Sequence, residues 1–172
     1  MQKKLNLKIK YRESFRPFAP SVLIESSRDF FDLPVASPYM LLIGYVNEER
    51  RKSLPDNYLE LDLWDRLYHV RSDVQSITHL DFSARVQTVH RETNPRYWQL
   101  INTFKEKTGY GIVVNTSFNV RGEPIVCTPG DAYRCFMRTE MDYLVVNDFL
   151  LKKTDQPDWQ NREKWMEEFE LD

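Results

Sequence analysis

The chain has 172 residues and a net charge of −2, with 41% hydrophobic and 29% charged residues. That is an ordinary globular composition, long enough for one domain and its core, and it excludes a disordered polymer. No apolar run nears the roughly 18 residues of a membrane span, and the mild acidity offers no basic face to nucleic acid.

The beginning, "MQKKLNLKIKYRE", lacks the apolar stretch of a secretory signal. It reads as a short helix that Pro17 and Pro20 close off. "APSVLIE" follows as a strand, and "SSRDFFDL" as a helical turn opened by a serine cap. "YMLLIGYV" is a buried strand. Residues 47–70 are charged and carry Pro55 and Asn57, so they form a loop excursion with room for one helical turn.

"SITHL" and "ARVQTVHR" read as two more strands. "NPRYWQLINTFKEKTG" is the clearest helix, with Asn94 as cap, Pro95 at its first position and Gly109 as its stop. Leu100, Ile101 and Phe104 are expected to face the core. "GIVVNT" is a strand, "TPGDAYRCFMRTE" a helix from near Pro129, and "DYLVVNDFLLKK" a last strand or hairpin. Strands interleaved with helices make this α/β, or α+β-like, with a mixed sheet covered by helices. Residues 154–172 are an acidic tail with helical character.

Chemistry concentrates at two places. Lys3, Lys4, Lys8, Lys10, Arg12 and Arg16 crowd the beginning against Glu13 alone. The stretch "VVNTSFNVRGEP" runs from β-branched residues into Asn115, Thr116, Ser117 and Asn119, so an apolar strand ends by presenting hydroxyls and amides. No glycine-rich phosphate loop or nucleophile elbow occurs, and five glycines leave little room for one. Any phosphate must therefore be held by side chains, and "SFRPFAP" sets an arginine between aromatic and proline residues that fix it. His79 and Asp81 lack a third ligand, so they read as a polar strand end with local hydrogen bonds, and no metal site is expected. Cys127 and Cys135 are too few for a disulfide framework or zinc site, and read as free thiols of a cytoplasmic protein.

"KYRESFRPFAPSVL", "THLDFSARVQTV" and "VVNTSFNVRGEPIVCTP", in this order, resemble the C-terminal domain of the O-carbamoyltransferases that act on nodulation factors and antibiotics. The resemblance covers about residues 5–153, nearly the whole chain, and makes residues 1–153 the domain. It implies a YrdC-like fold, a twisted open mixed sheet with flanking helices. It also implies binding of ATP, with Mg2+, and of carbamoyl phosphate, and formation of carbamoyl-adenylate. The resemblance assigns catalytic roles to Lys10, Arg16 and Arg85, and nucleotide or carbamoyl binding to Asn115 and Ser117. Asn119, from a serine-x-asparagine element, and Arg12 are secondary candidates.

Two departures stand out: the family often carries glycine where Phe82 stands, and full members have a large N-terminal, actin-like domain. That domain, in cis or in trans, is the implied partner and would take the carbamoyl group to an acceptor hydroxyl. The alternative is an inactive nucleotide-binding or regulatory module of the same fold. Replacing Lys10 or Arg16 by alanine is expected to weaken ATP binding by about 1.5–3 kcal/mol per lost contact without unfolding the chain.

Overall fold

The computed structural model describes residues 1–159. Its helices are α1 (Gln2–Leu5), α2 (Ser27–Phe30), α3 (Leu63–Tyr68), α4 (Pro95–Thr108) and α5 (Pro129–Arg138). Its strands are β1 (Ala19–Leu23), β2 (Phe31–Asp32), β3 (Leu42–Val46), β4 (Ser83–Val89), β5 (Ile112–Asn115), β6 (Tyr143–Val146) and β7 (Phe149–Lys152). They fall into two compact units. One holds residues 17–116, and the other joins residues 3–16 to the chain from Ser117 onward.

The larger unit carries an open five-stranded sheet in the order β2-β3-β4-β1-β5. β1 and β4 run parallel, and every other pair is antiparallel. The mixed α/β sheet expected from the sequence is present. Side chains alternate across it, so Val22, Val46, Ala84 and Val86 fill one face, all fully buried. On the opposite face Leu23 and Val89 pack with Ile101 of α4, sealed by Tyr97, Trp98 and Val113.

Asn94 caps α4 by accepting from the Tyr97 N–H at 3.3 Å, and Gly109 ends it at φ 81°. Of the three residues expected to face the core, only Ile101 is buried, while Leu100 is 57% and Phe104 41% exposed. The 100° step of a helix centres the buried stripe on Tyr97, Trp98 and Ile101, which pushes Leu100 and Phe104 to its flank. Gly111 follows in a tight passage, because a Cβ there would lie 2.8 Å from Ser26 Oγ and 3.2 Å from Lys105 Cδ. Ser26 is itself fully buried and accepts from Lys105 Nζ at 2.8 Å, so neither neighbour yields easily. Gly111→Ala is expected to cost about 1–3 kcal/mol, read as a lowered melting temperature with the helix content unchanged.

Four local expectations need correction. The strand expected to be buried, β3, leaves Leu42, Ile43 and Tyr45 exposed and buries Gly44 and Val46. "SITHL" is not a strand: Gln75–Ile77 form a 3-10 turn. Thr78 there spends its hydroxyl on Val74 O and on Ser72 Oγ, and Arg71 donates to the carbonyls of Arg66, Leu67 and Thr78. These bonds fold the segment back on itself instead of leaving its backbone to a ladder. Ser26 does precede α2, but its side chain makes no capping bond. The excursion at 47–70 holds two 3-10 turns, Glu48–Arg50 and Tyr58–Glu60, besides α3, which Asp62 caps.

Phe82 has φ 64°, a left-handed conformation in which glycine is at home. The Arg51 guanidinium lies 4.9 Å over its ring, and Val46 N–H donates to its carbonyl at 2.9 Å.

In the smaller unit α1 runs into a π turn, Asn6–Lys10, which Tyr11 stops at φ 51°. Turns of this kind are rare and gather at functional sites. A capping box between Thr128 and Asp131 opens α5. Its apolar side puts Ala132, Phe136 and Met137 against Leu144 of the β6–β7 hairpin. Val120 and Cys135 make a second small core with Tyr11, Phe118 and Val126 around it. Glu140 N–H donates to Lys8 O at 3.0 Å, and the Lys8 and Glu140 side chains pair at 2.5 Å. The acidic tail beyond Trp159 lies outside the described residues.

Candidate functional site

The smaller unit contains a cleft of about 310 Å³ lined by Lys10, Arg12, Glu13, Arg16 and, from the other segment, Ser117, Asn119, Arg121 and Gly122. Five of the seven residues singled out in the sequence therefore share one cleft. Four cations surround it with Glu13 as the one carboxylate among its lining residues.

Lys10 closes the π turn and is 5% exposed. Its Nζ donates to Asn119 O at 2.6 Å, Asn119 Oδ1 at 2.7 Å and Ser117 O at 2.9 Å, with Ser117 Oγ at 3.3 Å. An ammonium has three hydrogens, so these acceptors share them. Ser117 Oγ donates to Asn119 Oδ1 at 2.7 Å, and Asn119 Nδ2 donates to Glu123 O at 2.7 Å. The serine-x-asparagine spacing brings two backbone carbonyls and two side-chain oxygens onto one cation. The sequence alone presents Lys10 as a ligand-facing charge, whereas here it also anchors the 117–123 loop.

That loop has further ties. Gly122 turns it at φ 77°, Arg121 N–H donates to Lys10 O at 3.1 Å, and Glu123 Oε2 accepts from Val120 N–H at 3.3 Å. Glu123 also faces Arg138 at 3.6 Å, both nearly buried. Burial pushes the Lys10 ammonium down to about 8, and the Arg12 charge adds to the effect, while Cys135 and Glu123 oppose it. Burial likewise lowers Arg12, helped by the Arg16 charge. The Cys135 thiol is pushed up to about 12 by burial and the Glu123 carboxylate.

Glu13 lies between Arg16 at 3.7 Å and Arg121 at 3.5 Å. Its own backbone N–H and these arginines hold its carboxyl below the usual range. Such long, solvated pairs are weak. Arg121 and Glu13 escaped the sequence reading. The arginine-glycine pair in "NVRGEP" is the signal that could have found Arg121, since the left-handed Gly122 beside it turns the chain back towards the cleft.

Arg85 and Asn115 belong to the other unit. Arg85 is exposed on β4 opposite Ile43, and Gln87 shares its face two residues on. Asn115 Nδ2 donates to Gln87 Oε1 at 2.7 Å, and Ser21 Oγ donates to the same oxygen at 2.6 Å. The two candidates thus share a polar region of the sheet face beyond the part that α4 covers. Asp81 Oδ1 accepts the Ser83 N–H at 3.0 Å, the local bond expected of that strand end, and its carboxyl is held low by Ser83. Both cysteines are free.

An open mixed sheet flanked by helices, and a cleft furnished with cationic side chains, define an α/β protein without a glycine cradle for phosphate. The chain belongs to the family described as carbamoyltransferase C-terminus, which it matches over residues 1–153. It is 61% identical, over its whole length, to 28% of an uncharacterised Synechocystis protein. It is 41% identical over 153 residues, 87% of this chain and 24% of the relative, to nodulation protein NolO of Bradyrhizobium diazoefficiens. To the 3'-hydroxymethylcephem-O-carbamoyltransferase of Streptomyces clavuligerus it is 31% identical over 140 residues, 81% of this chain and 23% of that enzyme. The chain spans about a quarter of the length of the curated relatives it matches. Among the described residues no helix is long and apolar enough to cross a membrane.

Proposed function

We propose that this chain is the part of a carbamoyltransferase that binds ATP and carbamoyl phosphate and forms carbamoyl-adenylate. The observation that carries this reading is the cleft in which Lys10, Arg12, Arg16 and Arg121 converge. Carbamoyl phosphate loses its phosphoryl group to water and leaves carbamate. A carbamate oxygen then attacks the α-phosphorus of ATP, the bond to the bridging oxygen breaks, and pyrophosphate departs.

Every species in that sequence is an anion, so the barrier lies in bringing like charges together. Cations fixed in advance lower it by positioning and electrostatics, with no nucleophilic side chain required. In this reading Arg12, Arg16 and Arg121 hold phosphate oxygens through charge-assisted bonds. Lys10 keeps Ser117 and Asn119 in place to orient the acyl group. Magnesium enters as the counter-ion of ATP, because Glu13 is already engaged by two arginines and the cleft offers no second carboxylate.

Transfer to an acceptor hydroxyl then falls to a separate part of the enzyme, an N-terminal actin-like domain in cis or in trans. Given ATP, magnesium and carbamoyl phosphate, the 172-residue chain is expected to release pyrophosphate only when both substrates are present. With a panel of sugar-alcohol acceptors it should give no carbamoylated product by mass spectrometry. ATP binding without pyrophosphate release would instead identify an inactive nucleotide-binding module, and product formed by the chain alone would refute the division of labour.

A further inference from the structure

Asn6 is fully buried in the smaller unit, two residues beyond the N-terminal lysine pair, and nothing in its sequence context marks it. Its side chain nevertheless makes three bonds to the segment that lines the cleft. Oδ1 accepts from Arg12 Nε at 2.7 Å, and Nδ2 donates to Arg16 O at 2.7 Å and to Ser14 O at 3.2 Å. The backbone joins in, since Arg12 N–H donates to Asn6 O at 3.0 Å. A buried polar side chain persists only when its donors and acceptor are matched, and here each partner lies between Arg12 and Arg16.

We infer that Asn6 is a positioning residue for the anion cleft, fixing the Arg12 guanidinium at its Nε edge and holding the 12–16 turn that carries Arg16. The inference rests on the proposed reading of the cleft as an anion site. The chemistry explains the residue type. Arg12 needs an uncharged acceptor that leaves its positive charge for a ligand, while the two carbonyls need a donor, and one amide provides both. An aspartate would satisfy Arg12 but neutralise it and repel the carbonyls of Ser14 and Arg16.

The test uses the full chain with MgATP as probe, titrated by calorimetry, on the wild type, Asn6→Ala, Asn6→Asp, Arg12→Ala and the Asn6→Ala/Arg12→Ala pair. Thermal melts check that each is folded. Asn6→Ala is expected to weaken ATP about tenfold in the wild-type background and by clearly less once Arg12 is gone, because only its hold on the turn carrying Arg16 is then left to lose. A purely structural asparagine would give an additive loss, and that result overturns the inference.

Nuclear magnetic resonance of the arginine Nε–H groups gives a readout without ligand. The Arg12 resonance, assigned by its loss in Arg12→Lys, should exchange slowly in the wild type and fast in Asn6→Ala. In Asn6→Asp it should stay protected while ATP binding still weakens. If Asn6→Ala does not fold, Asn6→Asp and the wild-type protection carry the test, and fast exchange in the wild type refutes the idea outright. Wild type that takes no ATP overturns the reading of the cleft and this inference with it. Wild type that binds ATP and is indifferent to Asn6 overturns this inference alone.

Discussion

Lys10→Ala should lower stability by about 2–4 kcal/mol and weaken ATP binding at least tenfold, a larger and broader effect than the loss of a surface charge. The truncation removes the Nζ donor from the carbonyls of Ser117 and Asn119 and from the Asn119 side-chain oxygen, which keeps the Ser117 hydroxyl as a donor. Each unsatisfied buried acceptor costs about 1–3 kcal/mol, partly recovered where water can enter the cleft. The methylene stem adds a packing loss next to the small core of Val120 and Cys135. Lys10→Met keeps the stem and loses only the bonds, so it should fall between the wild type and alanine. Denaturant melts of both variants check the order. An alanine variant as stable as the wild type would show that the 117–123 loop is held by Glu123 and Gly122 alone.

Arg16→Ala offers the contrast. Its side chain is 60% exposed and meets Glu13 at a long 3.7 Å, so its removal should spare stability. A variant pair with different effects on folding and a shared effect on ATP would separate anchoring from ligand contact.

The legible parts of this chain are those decided locally. Asn94-Pro95 and Gly109 bound α4 because a cap, a preset φ and a left-handed stop act within a few residues. The strand ending in Asn115 and the helix from Pro129 were likewise readable from the switch between apolar and polar residues. "SITHL" misled because its alternation fits a strand, while the bonds that fold it come from Ser72 and Arg71, earlier in the chain. Leu100 and Phe104 misled because apolar character does not fix which flank of a helix is covered.

For the cleft, the short motifs indicated Lys10, Arg12, Arg16, Ser117 and Asn119. What they could not convey is who holds whom. The bonds from Lys10 to Ser117 and Asn119 span more than a hundred residues of sequence, separations of 107 and 109. The role of Asn6 depends on a π turn that no propensity scale announces. The four arginine and lysine side chains of the cleft look alike on paper, and only their partners divide anchors from contacts.

The last expectation concerns pH, and it has opposite signs for binding and for folding. Burial, then the neighbouring Arg12 charge, brings the Lys10 ammonium down to about 8. Near it, the Cys135 thiol, pushed up to about 12, is neutral in this range, and Arg12 and Glu123 act on it with opposite signs. Lys10 is therefore the group in this cluster that changes charge just above neutrality. Bound polyphosphate favours the charged ammonium and raises its pKa, so binding takes up a proton. ATP itself keeps its charge over this range, since a terminal phosphate has lost its last proton by about pH 7. Affinity for ATP should then fall as pH rises through 8, by up to about tenfold per unit.

Folding responds the other way. In the unfolded chain Lys10 titrates near 10.5, so between about 8 and 10.5 the unfolded state holds more protons than the folded one. Stability must rise with pH across that window. Calorimetry of ATP binding and thermal melts, both from pH 7 to 9.5, measure the two slopes, and Lys10→Met should flatten each of them. If wild-type affinity stays level through pH 9 while stability climbs, Lys10 titrates as described but does not communicate with the ligand. That outcome would reduce it to a structural cation and move the anion-holding role wholly to Arg12, Arg16 and Arg121.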